Sequence, residues 1–177
     1  KYKSFETEEE AAKAFEKGYE HYLKTASSSK AAASLAPKAP VGKPIWESLC
    51  VDAACSGNPG DMEYRGVYPP TMQEIFRIGP LKKGTNNIGE FLALVHGLAL
   101  LKQKGSSLPI YSDSRNAIGW VKKKKCKTLL ERVPENEPIF DLIERAEKWL
   151  KTNTYTTPIL KWETSEWGEI PADFGRK

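Results

Sequence analysis

The run LCVDAAC, residues 49–55, narrows most what this chain can fold into. Six apolar residues surround a single acid, Asp52, and the run breaks at once into Ser56-Gly57-Asn58-Pro59-Gly60. A short apolar run closed by turn residues reads as a strand with much of its surface covered. An ionised carboxylate inside such a strand costs several kcal/mol unless it is paired, or its pKa is driven upward. No Lys or Arg stands beside Asp52 in the run to neutralise it. The expected counter-charge is therefore a divalent cation shared with other carboxylates. Oxygen-only ligation suits Mg²⁺, and a pair of such ions about 4 Å apart can clamp the attacking and leaving oxygens of a phosphoryl displacement.

The rest of the chain supplies a sheet around this strand. Strand signals at 46–55, 63–68 and 73–79 are separated by the turns GNPGD and YPPT, which predicts three antiparallel strands. Asn86 or Asn87 is the expected cap of a helix that places Ile88, Phe91, Leu92, Val95, Leu98 and Ala99 on one face and stops at Gly105. LPIYSD, 108–113, reads as a strand running straight into a helix, SRNAIGWVKKK. A longer helix is expected over 138–150, a strand over 157–164 and a short helix in PADFGRK at the end. The order βββαβα…αβα predicts an α/β fold, a mixed sheet with helices packed on its faces.

Three regions differ in composition. Residues 1–24 hold a strand-like piece at 2–5, a capping box of Thr7 with Glu10, and Ala11, Ala14, Phe15, Tyr19 and Tyr22 at helical spacing. One strand and one helix bury too little to fold alone, so this piece is expected to dock on the main domain or to be the end of a truncated small domain. Residues 25–44 are rich in Ser, Ala and Pro and read as a flexible linker. Residues 45–177 form the main domain. With 177 residues and a net charge of +4, composition alone does not announce a nucleic-acid binder. Three cysteines, Cys50, Cys55 and Cys126, fit no zinc spacing and are expected to be reduced thiols in a cytoplasmic protein. No apolar stretch is long enough to span a membrane, so no membrane partner is expected.

Three further carboxylates sit where α/β sheets build sites: Glu90 at the start of the first helix, Asp113 at a strand-to-helix junction, and Asp173 in the closing helix after Pro171. Taken singly, Glu90 reads as a dipole preference, Asp113 as a cap and Asp173 as a solvated side chain. Asp52 has no such excuse, and it draws the others toward a shared metal.

The blocks VDAACSGNPG, GTNNIGEFLALVHGL, IYSDSRNAIGWV and KWETSEWGEIPADFGRK resemble type 1 ribonuclease H in order and spacing, across nearly all of residues 45–177. YKSFETEEEAAKAF is similar to the end of the N-terminal hybrid-binding domain that some bacterial forms carry. The resemblance implies a ribonuclease H-like mixed five-stranded sheet with helices on both faces. It implies an endonuclease that hydrolyses the RNA strand of an RNA/DNA hybrid with two Mg²⁺ ions, Mn²⁺ being a substitute, and leaves 5′-phosphate and 3′-hydroxyl ends. Carried over by motif, Asp52, Glu90, Asp113 and Asp173 are the metal-binding carboxylates, and Glu169 assists metal exchange and product release. Cys55, Gly57, Asn58, Asn86 and Asn87 resemble minor-groove contacts that tell RNA from DNA by its 2′-hydroxyls. Ser114 and Arg115 would flank the RNA strand. Thr85, Asn87 and Thr128 would grip a DNA phosphate, and Trp120 would line the DNA channel. The lysine run 122–125 is expected to share in phosphate binding. The loop before Asp173 lacks the His of many relatives: the two histidines are His21 and His96, and His96 is expected to be structural. A working monomer with no obligate protein partner is expected. Related nucleases acting on DNA, an inactive hybrid-reading module and a purely structural acidic network are the rival readings. The SGNPG and GTNN blocks speak against the first, and the four carboxylates against the others.

Overall fold

The computed structural model describes residues 42–175. The strand and helix expected in 1–24 and nearly all of the linker expected in 25–44 lie outside the described residues. Five strands form one mixed sheet. They are β1 (Leu49–Cys55), β2 (Gly60–Tyr68), β3 (Gln73–Gly84), β4 (Ile110–Ser112) and β5 (Ile159–Lys161). Their order is β3-β2-β1-β4-β5, so β1 is central. It pairs antiparallel with β2 and parallel with β4, and β4 pairs parallel with β5. The helices are α1 (Asn86–Gln103), α2 (Arg115–Lys123), α3 (Glu137–Thr152) and the single turn α4 (Thr164–Trp167). Each parallel pairing thus needs a crossover, and α1 and α3 lie in the two connections that provide it.

Two cores follow from the alternation of β1. Leu49, Val51 and Ala53 face the larger one, against Ile88, Phe91, Leu98, Ala117, Val121, Ile139 and Leu150 of the three long helices. Cys50 faces the smaller one with Val67, Tyr111, Trp162, Ile170 and Ala172, and Trp167 of α4 packs against it. Helical residues therefore cover both faces, but the second face is closed mainly by the irregular C-terminal segment. Burying each large aliphatic or aromatic side chain contributes about 1.5–3 kcal/mol, which is why α1, covered on nearly every side, needs no polar face. Eleven of its residues are buried.

Four expectations need correction. The first helix is capped by Thr85, whose Oγ1 accepts from the Ile88 N–H at 3.3 Å, and Asn86 and Asn87 are its exposed first residues. The expected third strand, ending at 79, runs on to Gly84. Pro80 does not end it, because β3 is an edge strand and Pro80 falls in a register irregularity between the Ile78–Tyr64 and Leu81–Met62 pairs. The first strand starts at Leu49 and not at 46, because residues 46–48 form a bend and the chain before β1 lies against the second core: the Ile45 N–H donates to the Tyr111 hydroxyl and Trp46 meets Trp162 edge to face. PADFGRK is not a helix through its described part. Its residues turn, with the Asp173 N–H donating to the Ile170 carbonyl. The short helix lies earlier, at Thr164–Trp167.

Candidate active site

Strand register alone brings two of the carboxylates together. β1 and β4 are paired Leu49 to Ile110 and Cys50 to Tyr111. Continued two residues, that register sets Asp113 beside Asp52. Period-two alternation puts both on the face of Cys50 and Tyr111, the face covered by the C-terminal segment. Glu90 arrives from α1, and its Oε1 accepts from the Ala53 N–H at 3.3 Å. The close seating of α1 depends on Gly89, where a Cβ would stand 2.7 Å from the Ala53 Cβ. As a result Asp52, Glu90 and Asp113 offer carboxylate oxygens that all lie within 4.8 Å of one another. Asp52 is 0% and Glu90 1% exposed, while Asp113 is half-buried and opens the cluster to solvent.

An all-oxygen set of three converging carboxylates fits a hard divalent cation and fits no soft metal. Like charges this close raise one another's energy, and a cation removes that cost. With the cap at Thr85, Glu90 stands one or two residues further into α1 than the sequence suggested, beyond the first turn. The helix dipole therefore plays no part in keeping it ionised, since that effect fades within the first turn. Asp173 stands outside the 4.8 Å cluster. It lies in the C-terminal turn, with Oδ2 accepting from the Gly175 N–H at 2.9 Å. Glu169 is exposed two residues beyond α4 and is likewise outside the cluster.

The substrate candidates divide into separate places. Cys55, Gly57, Asn58, Thr85, Asn86 and Asn87 line one open groove of about 520 Å³, so that a turn after β1 and the start of α1 share a wall. Cys55 directs its thiol inward, donating to the Gly57 and Gly84 carbonyls at 2.8 and 3.4 Å. Arg115 lies in a second groove with Ile118, Gly119, Lys122, Lys161 and Glu163. Ser114 is the cap of α2, its Oγ accepting from the Ala117 N–H at 3.1 Å. Thr128 is half-buried in the loop before α3 and accepts from the Leu130 N–H. Trp120 is half-buried against Phe91, edge to face at 6.3 Å, so much of its ring belongs to the core. Of the lysine run, Lys125 pairs with Glu147 at 3.3 Å. Asp61 in the lining of the first groove and Lys161 in that of the second were not anticipated from sequence. Neither has a motif signal, because only the fold brings them near the other residues.

The cysteines are unbonded, as expected. Burial pushes the Cys50 thiol up to about 12, and burial likewise raises Cys126 to about 12. Both behave as small apolar side chains.

A mixed five-stranded sheet of order 3-2-1-4-5 with a carboxylate cluster on its central strand defines the ribonuclease H-like class of α/β folds. The chain belongs to the RNase H family, whose model matches residues 47–161. It is 31% identical over 137 residues to a ribonuclease H of Rickettsia bellii, a match covering 71% of this chain and 83% of the relative. A ribonuclease H of Rhodopirellula baltica is 41% identical over 75 residues, covering 41% of this chain and 46% of the relative, so the chain spans about half the length of that protein. Among solved structures, the RNase H1 of the archaeon Halobacterium salinarum is similar at a TM-score of 0.40 and 20% identity, over 67% of this chain and 88% of that one.

Proposed function

We propose that this protein is a metal-dependent endoribonuclease that hydrolyses the RNA strand of RNA/DNA hybrids, with residues 45–177 as its catalytic domain. The observation that carries this reading is the convergence of Asp52 of β1, Glu90 of α1 and Asp113 just past β4 within 4.8 Å in an RNase H-family domain. In this reading the three carboxylates hold two Mg²⁺ ions, for which Mn²⁺ can substitute, and Asp173 completes the set. When bound, the metal would supply Lewis-acid stabilisation of the attacking and leaving oxygens; water attacks phosphorus and the P–O3′ bond breaks, giving 5′-phosphate and 3′-hydroxyl ends. Glu169, exposed four residues before Asp173, assists metal exchange and product release.

The groove between the turn after β1 and the start of α1 binds the hybrid. Asn58, Asn86 and Asn87 each offer a donor and an acceptor to sugars and base edges. The backbone at Cys55 and Gly57 approaches 2′-hydroxyls, which duplex DNA lacks. Thr85, Asn87 and Thr128 hold a DNA phosphate, Ser114 and Arg115 flank the RNA strand, and Trp120 offers its exposed edge to the DNA strand. Lysines 122–125 add affinity without sequence preference. The protein acts as a monomer in the cytoplasm.

Cleavage of a 5′-labelled RNA/DNA hybrid in Mg²⁺, beside duplex DNA and duplex RNA, tests this. The RNA strand of the hybrid alone should be cut, and Asp113→Asn should lower the rate well beyond about 100-fold, since even groups that merely orient metal ligands cost 10–100-fold. A hybrid that is bound but left intact in both Mg²⁺ and Mn²⁺ would sink the enzyme reading.

A further inference from the structure

Asp52 has a cross-strand neighbour that the sequence run conceals. In the β1–β2 register its partner is Arg65, so the two side chains leave the sheet on the same face. Arg65 sends its guanidinium to the C-terminal turn. Nε donates to the Ala172 carbonyl at 2.8 Å and Nη2 to the Asp173 carbonyl at 2.5 Å. Nη1 donates to Glu74 Oε2 at 3.2 Å, and the guanidinium carbon lies 4.8 Å from the Phe174 ring centroid. Arg77 covers the same ring at 5.2 Å and is itself held by Glu63 at 3.0 Å and Glu74 at 3.6 Å. The side chain of Arg65 is 22% exposed.

This clasp grips three consecutive residues, 172–174, by backbone carbonyls and a ring. The strand that carries the clasp is hydrogen-bonded to the strand that carries Asp52. The second core also holds the turn, through the buried Ile170 and Ala172. Within the turn stand the Asp173 N–H bond to Ile170 and the Gly175 N–H bond to Asp173 Oδ2. Asp173 lies outside the three-carboxylate cluster, so its distance from a metal there depends on where β2 holds the turn. A planar guanidinium with several fixed donors suits two adjacent carbonyls in a way that a point charge does not.

We propose that Arg65, braced by Phe174 and Arg77, is a positioning residue that sets the reach of Asp173 to the metal held by Asp52, Glu90 and Asp113. The proposal rests on the metal reading of that cluster. Its sign is diagnostic. A bare positive charge near a cation site repels the cation, so removing it should tighten binding. Removing a clasp that orients a ligand should weaken it.

The test is Mg²⁺ binding to the full chain by titration calorimetry, without substrate, for the wild type, Arg65→Met and Arg65→Lys, with melting curves in EDTA alongside. Arg65→Met should weaken Mg²⁺ binding about tenfold. Arg65→Lys, which keeps one charged donor, should recover part of that loss. The wild type and Asp173→Asn should differ in affinity, whereas Arg65→Met and the double variant with Asp173→Asn should not. Unchanged or tighter Mg²⁺ binding in Arg65→Met, whatever its melting temperature, overturns the proposal. Absence of Mg²⁺ binding by the wild type would instead overturn the metal reading beneath it.

Discussion

At the scale of single residues, the cost of the site is concentrated in Asp52. Its side chain is fully buried within 4.8 Å of two other carboxylates, and part of that repulsion disappears if one member becomes neutral. Asp52→Asn should therefore melt higher than the wild type in EDTA, by about 1 kcal/mol or some 3 °C. Mg²⁺ should raise the wild-type melting temperature and barely move that of the variant. Paired melting curves with EDTA and with Mg²⁺ measure both. Neutral Asn occupies the same space, so a fall in EDTA would mean that the charge of Asp52 is a net contributor to stability. Reading single residues from sequence worked for Asp52 because a strand interior leaves an acid few roles. It failed for the cap of α1. Thr, Asn and Asn in a row all have the chemistry of a cap, and only the backbone conformation of Thr85 decides among them.

At the scale of elements, α1 and β1 form the joint on which the cluster depends. Two glycines make it. A Cβ on Gly89 would meet the Ala53 Cβ at 2.7 Å, and one on Gly97 would meet the Ile110 Cδ1 at 2.5 Å and the Leu49 Cδ2 at 3.1 Å. The Ala53 Cβ is fixed to the backbone and cannot move aside, whereas the end of Ile110 can rotate. Gly89→Ala should cost about 1–3 kcal/mol of overpacking, less about 1 kcal/mol of helix propensity regained. Gly97→Ala should be milder. Gly89 also adjoins Glu90, so lifting α1 off β1 at this point strains the Glu90 to Ala53 hydrogen bond. Urea unfolding ranks the two variants, and hybrid cleavage by Gly89→Ala should fall further than its stability loss would explain. These contacts were not legible in the sequence, where a glycine inside an apolar helix reads only as a weak helix former. The same holds for the length of β3, since Pro80 is tolerated there by its edge position and not by any local pattern.

At the scale of the whole molecule, acid acts on the larger core through one histidine. His96 on α1 stacks on Phe76 at 4.0 Å and faces the Tyr64 hydroxyl through Nδ1 at 3.3 Å. Burial lowers its pKa below the ordinary histidine value, so the folded protein keeps the ring neutral where the unfolded chain would protonate it. Between the two pKa values the unfolded state binds more protons, and stability falls as pH drops. The contribution of the neutral ring is complete above the unfolded value of about 6.5 and is lost progressively below it. His96→Leu should flatten the decline in melting temperature between pH 7.5 and 5, and an unchanged slope would place the acid sensitivity elsewhere. The second core, built on Tyr111, Trp162 and Ile170, carries the turn of Asp173. Its stability therefore bears on the site even though no residue of it joins the cluster.

The sequence by itself determined the strand order in the chain, the principal helices, the mixed α/β class and the four carboxylates with their family resemblance. The first three rest on local pattern, apolar periodicity and turn chemistry; among the acids only Asp52 stands out by its place in a strand, and the resemblance singles out the other three. Only the tertiary structure decided which carboxylates meet. Register sets Asp113 against Asp52, close packing through Gly89 delivers Glu90, and Asp173 stays in a turn held by Arg65 from a neighbouring strand. Arg65 lies 13 residues from Asp52 and 108 from Asp173. No local signal joins positions so far apart, because a cross-strand pair exists only once the strands have found their register.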